Sequence, residues 1–325
     1  MDVKHLIAKL SNSAFIGNVD TVKETVDEFL GYKTEKDQNN NIYAFKDFGK
    51  EKTLLLEAHI DEIGFIITDI ADGFLRVEAV GGIDPRMLFG QKVKFFGKKE
   101  VKGIFCSTPP HLKGKDEQKF DIKNMAVDTG LKDAKEFLSL GDFGVFDVTA
   151  TNLLNNTVTS KALDNRAGCV AVLKAFKKCK NSNYNLALLL SSGEELGHRG
   201  AIPGAFKVNP DYAIAVDVSF GECPGVASYK TAKLGSGAMV GISPILSEEV
   251  TEKLLTLSNN LGTTEIMGNR SGTNADVISI SKCGVKTGLV SIPLKNMHTP
   301  VEIVSLDDVF TVSKLLIDFA ESEVL

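Results

Sequence analysis

Tryptophan is absent from this 325-residue chain, and tyrosine occurs five times. Polysaccharide clefts commonly stack sugar rings on broad aromatic faces, so the absence counts against a glycan-cleaving enzyme. Cysteine is scarce too. Cys106, Cys169, Cys179, Cys223 and Cys283 are odd in number, and no two stand in a Cys-x-x-Cys spacing. A disulfide framework and a zinc ribbon are therefore not expected, and a reducing, cytoplasmic setting is. Long apolar runs are missing as well. No window approaches ~18 uncharged apolar residues, so no transmembrane helix is expected. Lys4, Lys9, Asp20, Lys23 and Glu24 interrupt the first thirty residues, which rules out a signal-peptide core there. Basic charge is in slight deficit, 37 Lys+Arg against 42 Asp+Glu, for a net charge of −5. Such a chain is a poor general binder of nucleic acid or anionic membrane.

The 325 residues are long enough for one large domain or two. Residues 1–30 read as a helix pair broken near Ser11–Asn18. From Ile63 to about Thr159 the pattern becomes short β-like runs, namely Gly64–Ile70, Phe74–Val80, Lys92–Phe96 and Val101–Cys106. Turn residues such as Asp72-Gly73 and Gly81-Gly82 separate them. A small barrel or sandwich is predicted, with a solvated loop at Lys113–Lys119. From Ser160 onward strands alternate with helices. Helices are expected at Arg166–Lys178, Glu248–Leu261 and Leu306–Glu321, and strands at Asn185–Leu190, Ala213–Val218 and Val285–Ile292. That alternation implies an α/β fold with a mostly parallel sheet covered on both faces. Residues 1–62 and 160–325 would form the catalytic α/β domain, with 63–159 inserted as a β-rich unit.

Five short segments carry polar groups that a core would not select. They are Ala58-His59-Ile60-Asp61-Glu62, Ala162-Leu163-Asp164-Asn165-Arg166, Ser192-Gly193-Glu194-Glu195, Val216-Asp217-Val218 and Met297-His298-Thr299-Pro300. Four of them follow a predicted strand, where open α/β sheets collect ligands. Two imidazoles and three carboxylates suit a pair of borderline divalent ions such as Zn²⁺. His59, Asp164 and Asp217 are assigned to one ion. Asp164, Glu195 and His298 are assigned to the other, so Asp164 bridges. Asp61, two residues beyond His59, is placed to hold the far imidazole nitrogen. Glu194 is left free as general base.

Taken singly, each segment has a plainer explanation: a core histidine, acids at a helix start, or capping aspartates. Jointly they complete one site. His5 and His111 have no such context. His198, in Gly-His-Arg-Gly close to the acidic pair, reads as a helix-side residue, with a place in the substrate pocket as the alternative.

The ordered set His-x-Asp, Ala-Leu-Asp-x-Arg, Glu-Glu-x-Gly-x-Arg-Gly-Ala, Asp-Val and His-x-Pro-Val-Glu resembles the tetrahedral (TET) aminopeptidases. These are metallopeptidase family forty-two of the M class, which includes glutamyl aminopeptidase and the "cellulase M" proteins. The resemblance implies a phosphorylase/hydrolase-like catalytic domain with an inserted PDZ-like β-barrel used for dimerisation. It also implies two Zn²⁺ or Co²⁺ ions per subunit, and dimers assembled into a dodecamer. Family metal positions fall on His59, Asp164, Glu195, Asp217 and His298, the base on Glu194 and the supporting carboxylate on Asp61. A cis peptide is expected at Asp164–Asn165. The chain departs from the family where Gly-Gly-Gly-Thr-Asp-Ala is usual. Its own run, Arg270-Ser271-Gly272-Thr273-Asn274-Ala275, makes Arg270, Gly272, Thr273 and Asn274 the candidate substrate contacts, and Arg270 could attract an acidic side chain. The expected activity is removal of N-terminal residues from short peptides, with an endo-glucanase as the alternative, since some relatives carry that name.

Overall fold

The computed structural model describes residues 1–13, 19–106, 108, 111, 121–258 and 262–325. The predicted loop at Lys113–Lys119, most of the break near Ser11–Asn18 and the end of the predicted Glu248–Leu261 helix lie outside them. The chain opens with helices α1 (Val3–Asn12) and α2 (Val19–Leu30). Asp2 caps α1 by accepting from the His5 amide, while Leu6, Ile7 and Leu10 recur on the buried face. Strands β1 (Glu35–Lys36), β2 (Ile42–Lys46) and β3 (Thr53–His59) follow.

Six strands then close a barrel: β4 (Gly64–Ala71), β5 (Phe74–Val80), β6 (Lys92–Phe96), β7 (Glu100–Cys106), β8 (Ala126–Asp128) and β9 (Phe143–Phe146). Their order around it is β4-β5-β8-β7-β6-β9. Every second residue points inward. Phe65 packs on Phe105 at 4.9 Å and on Phe146 edge-on at 5.2 Å. The barrel has its own core, which includes Ile67, Leu75, Val93, Phe95 and Val127.

The remaining elements are β10 (Thr151–Asn152), β11 (Thr157–Ser160), α3 (Leu163–Lys178), β12 (Asn185–Ser191), α4 (Ala201–Val208), β13 (Tyr212–Phe220), β14 (Ala238–Ile242), α5 (Glu248–Ser258), β15 (Gly262–Ile266), α6 (Ala275–Ile278), β16 (Lys286–Lys295), β17 (Glu302–Ser305) and α7 (Leu306–Glu321). Strands β12, β3, β13 and β16 run parallel through the middle of one large mixed sheet. Antiparallel neighbours β2, β14 and β17 flank that centre. The central strands are apolar almost throughout because both faces are covered. Along β12, Leu186, Leu188 and Leu190 join the core under α3 and α7, while Ala187 and Leu189 face α4.

The sequence and the structure part at three points. The large sheet is mixed, with antiparallel pairing on both flanks of its parallel centre, not mostly parallel as the strand–helix alternation implied. Strands β10 and β11 pair with the large sheet through β17, not with the barrel, so the boundary drawn at 159/160 falls at the end of a sheet strand. The helix expected from Arg166 begins at Leu163, but Asp164 and Asn165 are non-helical within it, and the Asp164–Asn165 peptide is cis, as the family resemblance implied.

Candidate metal centre

The central strands deliver the polar segments to one end of the sheet. His59 is the last residue of β3, and Glu194 and Glu195 follow β12. The β13 ladder on β3 stops at the Ala215–Glu57 pair. Beyond it β13 continues beside β16, leaving Asp217 next to the gap that Asp164 enters from the start of α3. His298 arrives on the turn after β16, in a left-handed conformation with φ of 60°.

Two donor groups result, His59–Asp164–Asp217 and Asp164–Glu195–His298. Asp164 is common to both and turns one oxygen to each. Its Oδ1 lies 3.1 Å from His59 Nε2, and its Oδ2 lies 3.3 Å from His298 Nε2. Asp217 Oδ1 is 3.7 Å from His59 Nε2, and Glu195 Oε1 is 3.3 Å from His298 Nε2. Ligands about a tetrahedral zinc, bound at ~2.0–2.1 Å, stand roughly 3.3 Å apart. The observed separations bracket that value, and the N/O donor set is the one zinc accepts, so these residues fit a divalent metal.

The electrostatics fit as well. Burial pushes the Asp217 carboxyl up to about 7 and raises Glu195. Burial would also raise Asp164, but hydrogen bonds with His298 and His59 outweigh it and hold Asp164 well below the usual carboxylate range. Against the opposing effect of burial, Asp164 and Glu195 lift His298 to about 11. The protein has gathered negative charge that asks for cations.

Supporting carboxylates hold the donors in place. Asp61 faces His59 Nδ1 at 3.4 Å and accepts from the amides of Glu194 and Glu195, each at 3.1 Å. It therefore orients an imidazole and pins the loop of the two glutamates together. Glu302 accepts from the amides of Asp164 at 3.1 Å and His298 at 2.9 Å. It closes the motif His-x-Pro-Val-Glu, and only the fold brings it to both amides. The barrel reaches the site too. A Cβ on Gly82 would lie 2.8 Å from His298 Nδ1, so that close approach requires glycine.

A cavity of about 400 Å³ opens over these donors. Glu194, outside both donor groups, lines it, with Oε2 4.0 Å from His59 Nε2. Arg270, Gly272 and Thr273 line it, but Asn274 does not. Asn274 turns into the interior, donating to Glu57 at 2.7 Å and to Ser191 at 2.9 Å. His198 corrects the sequence reading: it is a wall of the cavity, with Nδ1 3.2 Å from Glu194. Glu265, Ser219 and Ser291 also line the cavity and carried no recognisable signal in the sequence.

Fold and site together define a hydrolase of the peptidase class, with donor groups that could hold a metal ion. The M42 glutamyl aminopeptidase family model matches residues 40–315. The chain is 30% identical to lysyl aminopeptidase of Pyrococcus furiosus over 310 residues, covering 91% of this chain and 88% of that protein. Among solved structures it resembles an aminopeptidase of the archaeon Desulfurococcus kamchatkensis, at 31% identity and a TM-score of 0.90, covering 98% and 94% of the two chains. It also resembles PhTET1-12s, a dodecamer, at 26% identity and a TM-score of 0.85, covering 99% and 100%. The chain belongs to the M42 peptidase family and is a peptidase.

Proposed function

We propose that the chain is a two-metal aminopeptidase that takes N-terminal residues from short peptides. The observation that carries this reading is the pair of donor groups sharing Asp164 at the floor of one cavity. His59 and Asp217 would hold one ion, Glu195 and His298 the other, with Asp164 between them. Zinc or cobalt ions bound there would supply Lewis acidity toward the scissile carbonyl and sharpen the acidity of a water.

The protein's own groups do the rest. Glu194 takes a proton from the attacking water and passes it to the leaving amine, help that contributes roughly 10²–10⁴-fold. Asp61 keeps the His59 ring and the Glu194–Glu195 backbone in register. Arg270, Gly272 and Thr273 form part of the substrate wall, with Asn274 behind it. We assign the barrel strands to a dimer-forming unit and read the subunit as one of twelve, by analogy with the PhTET1-12s dodecamer. The glucanase alternative is set aside, because membership of a peptidase family argues against it and the absence of tryptophan agrees.

The experiment is turnover of aminoacyl nitroanilides with added Zn²⁺ or Co²⁺, before and after chelation. Activity should vanish on metal removal and return on reloading. Turnover that survives complete stripping would sink the reading. Light scattering on the purified protein reads the assembly, with a mass near twelve subunits expected.

A further inference from the structure

We propose that Glu265 makes the active-site cavity a pocket for a basic side chain, so that the enzyme favours peptides beginning with lysine or arginine. The inference rests on the aminopeptidase reading and deepens it.

On β16, Ser291 stands opposite Asp217 of β13, and Ser219 lies one pleat further along β13. Asp217, Ser219 and Ser291 therefore share one face of the sheet. Glu265, on β15, reaches that face. Its Oε1 accepts from the Ser219 hydroxyl, and its Oε2 from the Ser291 hydroxyl at 3.0 Å. The carboxylate is thus fixed by one hydroxyl on each oxygen, both from the sheet face that carries Asp217. It lines the same cavity as Glu194 and the donor groups. A peptide whose first carbonyl lies over those donors must place its first side chain in this cavity, alongside Glu265.

Glu265 and Arg270 are the charged groups lining the cavity apart from the donors, Glu194 and His198. They would select opposite substrates. Arg270 is exposed and lines a second surface hollow as well, so solvent screens it. Glu265 is held inside, where a lower dielectric strengthens its pull on a cation. Burial raises its pKa, and a cationic side chain brought alongside would offset that cost. No arginine or lysine of the protein pairs with this carboxylate among the described residues. The cation is left for the substrate to bring.

The test compares kcat/KM for lysyl, arginyl, leucyl and glutamyl nitroanilides with the metal-loaded enzyme. Lysyl and arginyl substrates should lead by roughly tenfold or more. In Glu265→Gln the lysyl-to-leucyl ratio should collapse toward one, chiefly through KM. Glu265→Lys should favour the glutamyl substrate over the lysyl. A wild-type preference for leucine or glutamate overturns the proposal. So does a Glu265→Gln enzyme that loses all four activities in equal proportion, since Glu265 would then serve the α-amine or the fold. A wild-type enzyme inactive on all four substrates refutes the aminopeptidase reading itself. Competition needs no variant: free lysine should inhibit the wild type more tightly than norleucine, its uncharged analogue, and the reverse order counts against the pocket.

Discussion

His198 Nδ1 lies 3.2 Å from Glu194 Oε1 and 3.2 Å from the side-chain oxygen of Asn274. Both neighbours accept, so Nδ1 carries the proton. Asn274 is itself oriented by its bonds to Glu57 and Ser191. A hydrogen-bonded chain Glu57–Asn274–His198 therefore ends on the proposed base and fixes where its carboxylate points. His198 adopts φ of 61°, so its replacements must tolerate a left-handed backbone. His198→Gly removes the contact without that strain and should lower kcat about tenfold with a smaller change in KM. His198→Asn puts an amide nitrogen near the lost Nδ1 and should recover much of the rate. Steady-state kinetics on one nitroanilide checks both. Equal rates in all three enzymes would remove His198 from the machinery.

With the two donor groups loaded as proposed, sharing Asp164 predicts a distinctive pattern of metal content among variants. His298→Ala should leave about one ion per subunit, because the His59–Asp164–Asp217 group stays whole. Asp164→Ala breaks both groups and should leave close to none. Glu194→Gln should keep both ions while kcat falls by roughly 10²–10⁴-fold. Elemental analysis of gel-filtered protein reads the first two, and kinetics the third. Two full ions in Asp164→Ala would contradict the bridging role.

What the sequence disclosed follows from where each signal resides. Barrel strands such as β5 and β6 were legible to the residue because alternation and turn glycines are local. His59, Glu195, Asp217 and His298 stood out because each is a polar residue at the end of an apolar strand, and Asp164 because it completes the same donor set. Glu265 did not, since its meaning depends on the register that sets Ser291 beside Asp217, and register is a property of paired strands. Asn274 looked like a pocket residue by position, yet its partner Glu57 lies 217 residues away in sequence. Strand β11 alternates like its barrel predecessors and joins the large sheet solely through β17, nearly 150 residues later. His198 follows the acidic pair closely in sequence, but only the turn at φ of 61° aims its ring at Glu194.

Where the chain leaves β3 for the barrel, Glu62 is fully enclosed with two cations. Lys161 Nζ lies 2.6 Å from Glu62 Oε2, and Arg166 approaches Oε1 at 3.6 Å. Removing one member of such a cluster strands buried charge. Glu62→Gln should cost about 3–5 kcal/mol, since the amide replaces a carboxylate facing two buried cations. Lys161→Met should cost less, because Arg166 still faces the acid. Urea unfolding of the three proteins gives the order. A Glu62→Gln protein as stable as the parent would mean the cluster contributes nothing net.

Asp308 makes the stability depend on pH in a predictable sense. In the first turn of α7 it accepts from the amides of Gly235 and Gly237, both at 2.7 Å. Burial nevertheless outweighs those bonds and pushes its carboxyl up to about 6, above the ordinary value of 3.8. The folded chain thus holds this proton more tightly than the unfolded chain does. Its stabilising contribution is complete below about pH 4 and is lost as the pH rises through about 6. Asp308→Asn cannot titrate, and every other group is common to both proteins. The stability of the parent relative to Asp308→Asn should therefore fall between pH 4.5 and pH 7.5. Urea midpoints of the pair at the two pH values measure it, and a difference that does not change with pH would show that Asp308 ionises as readily folded as unfolded.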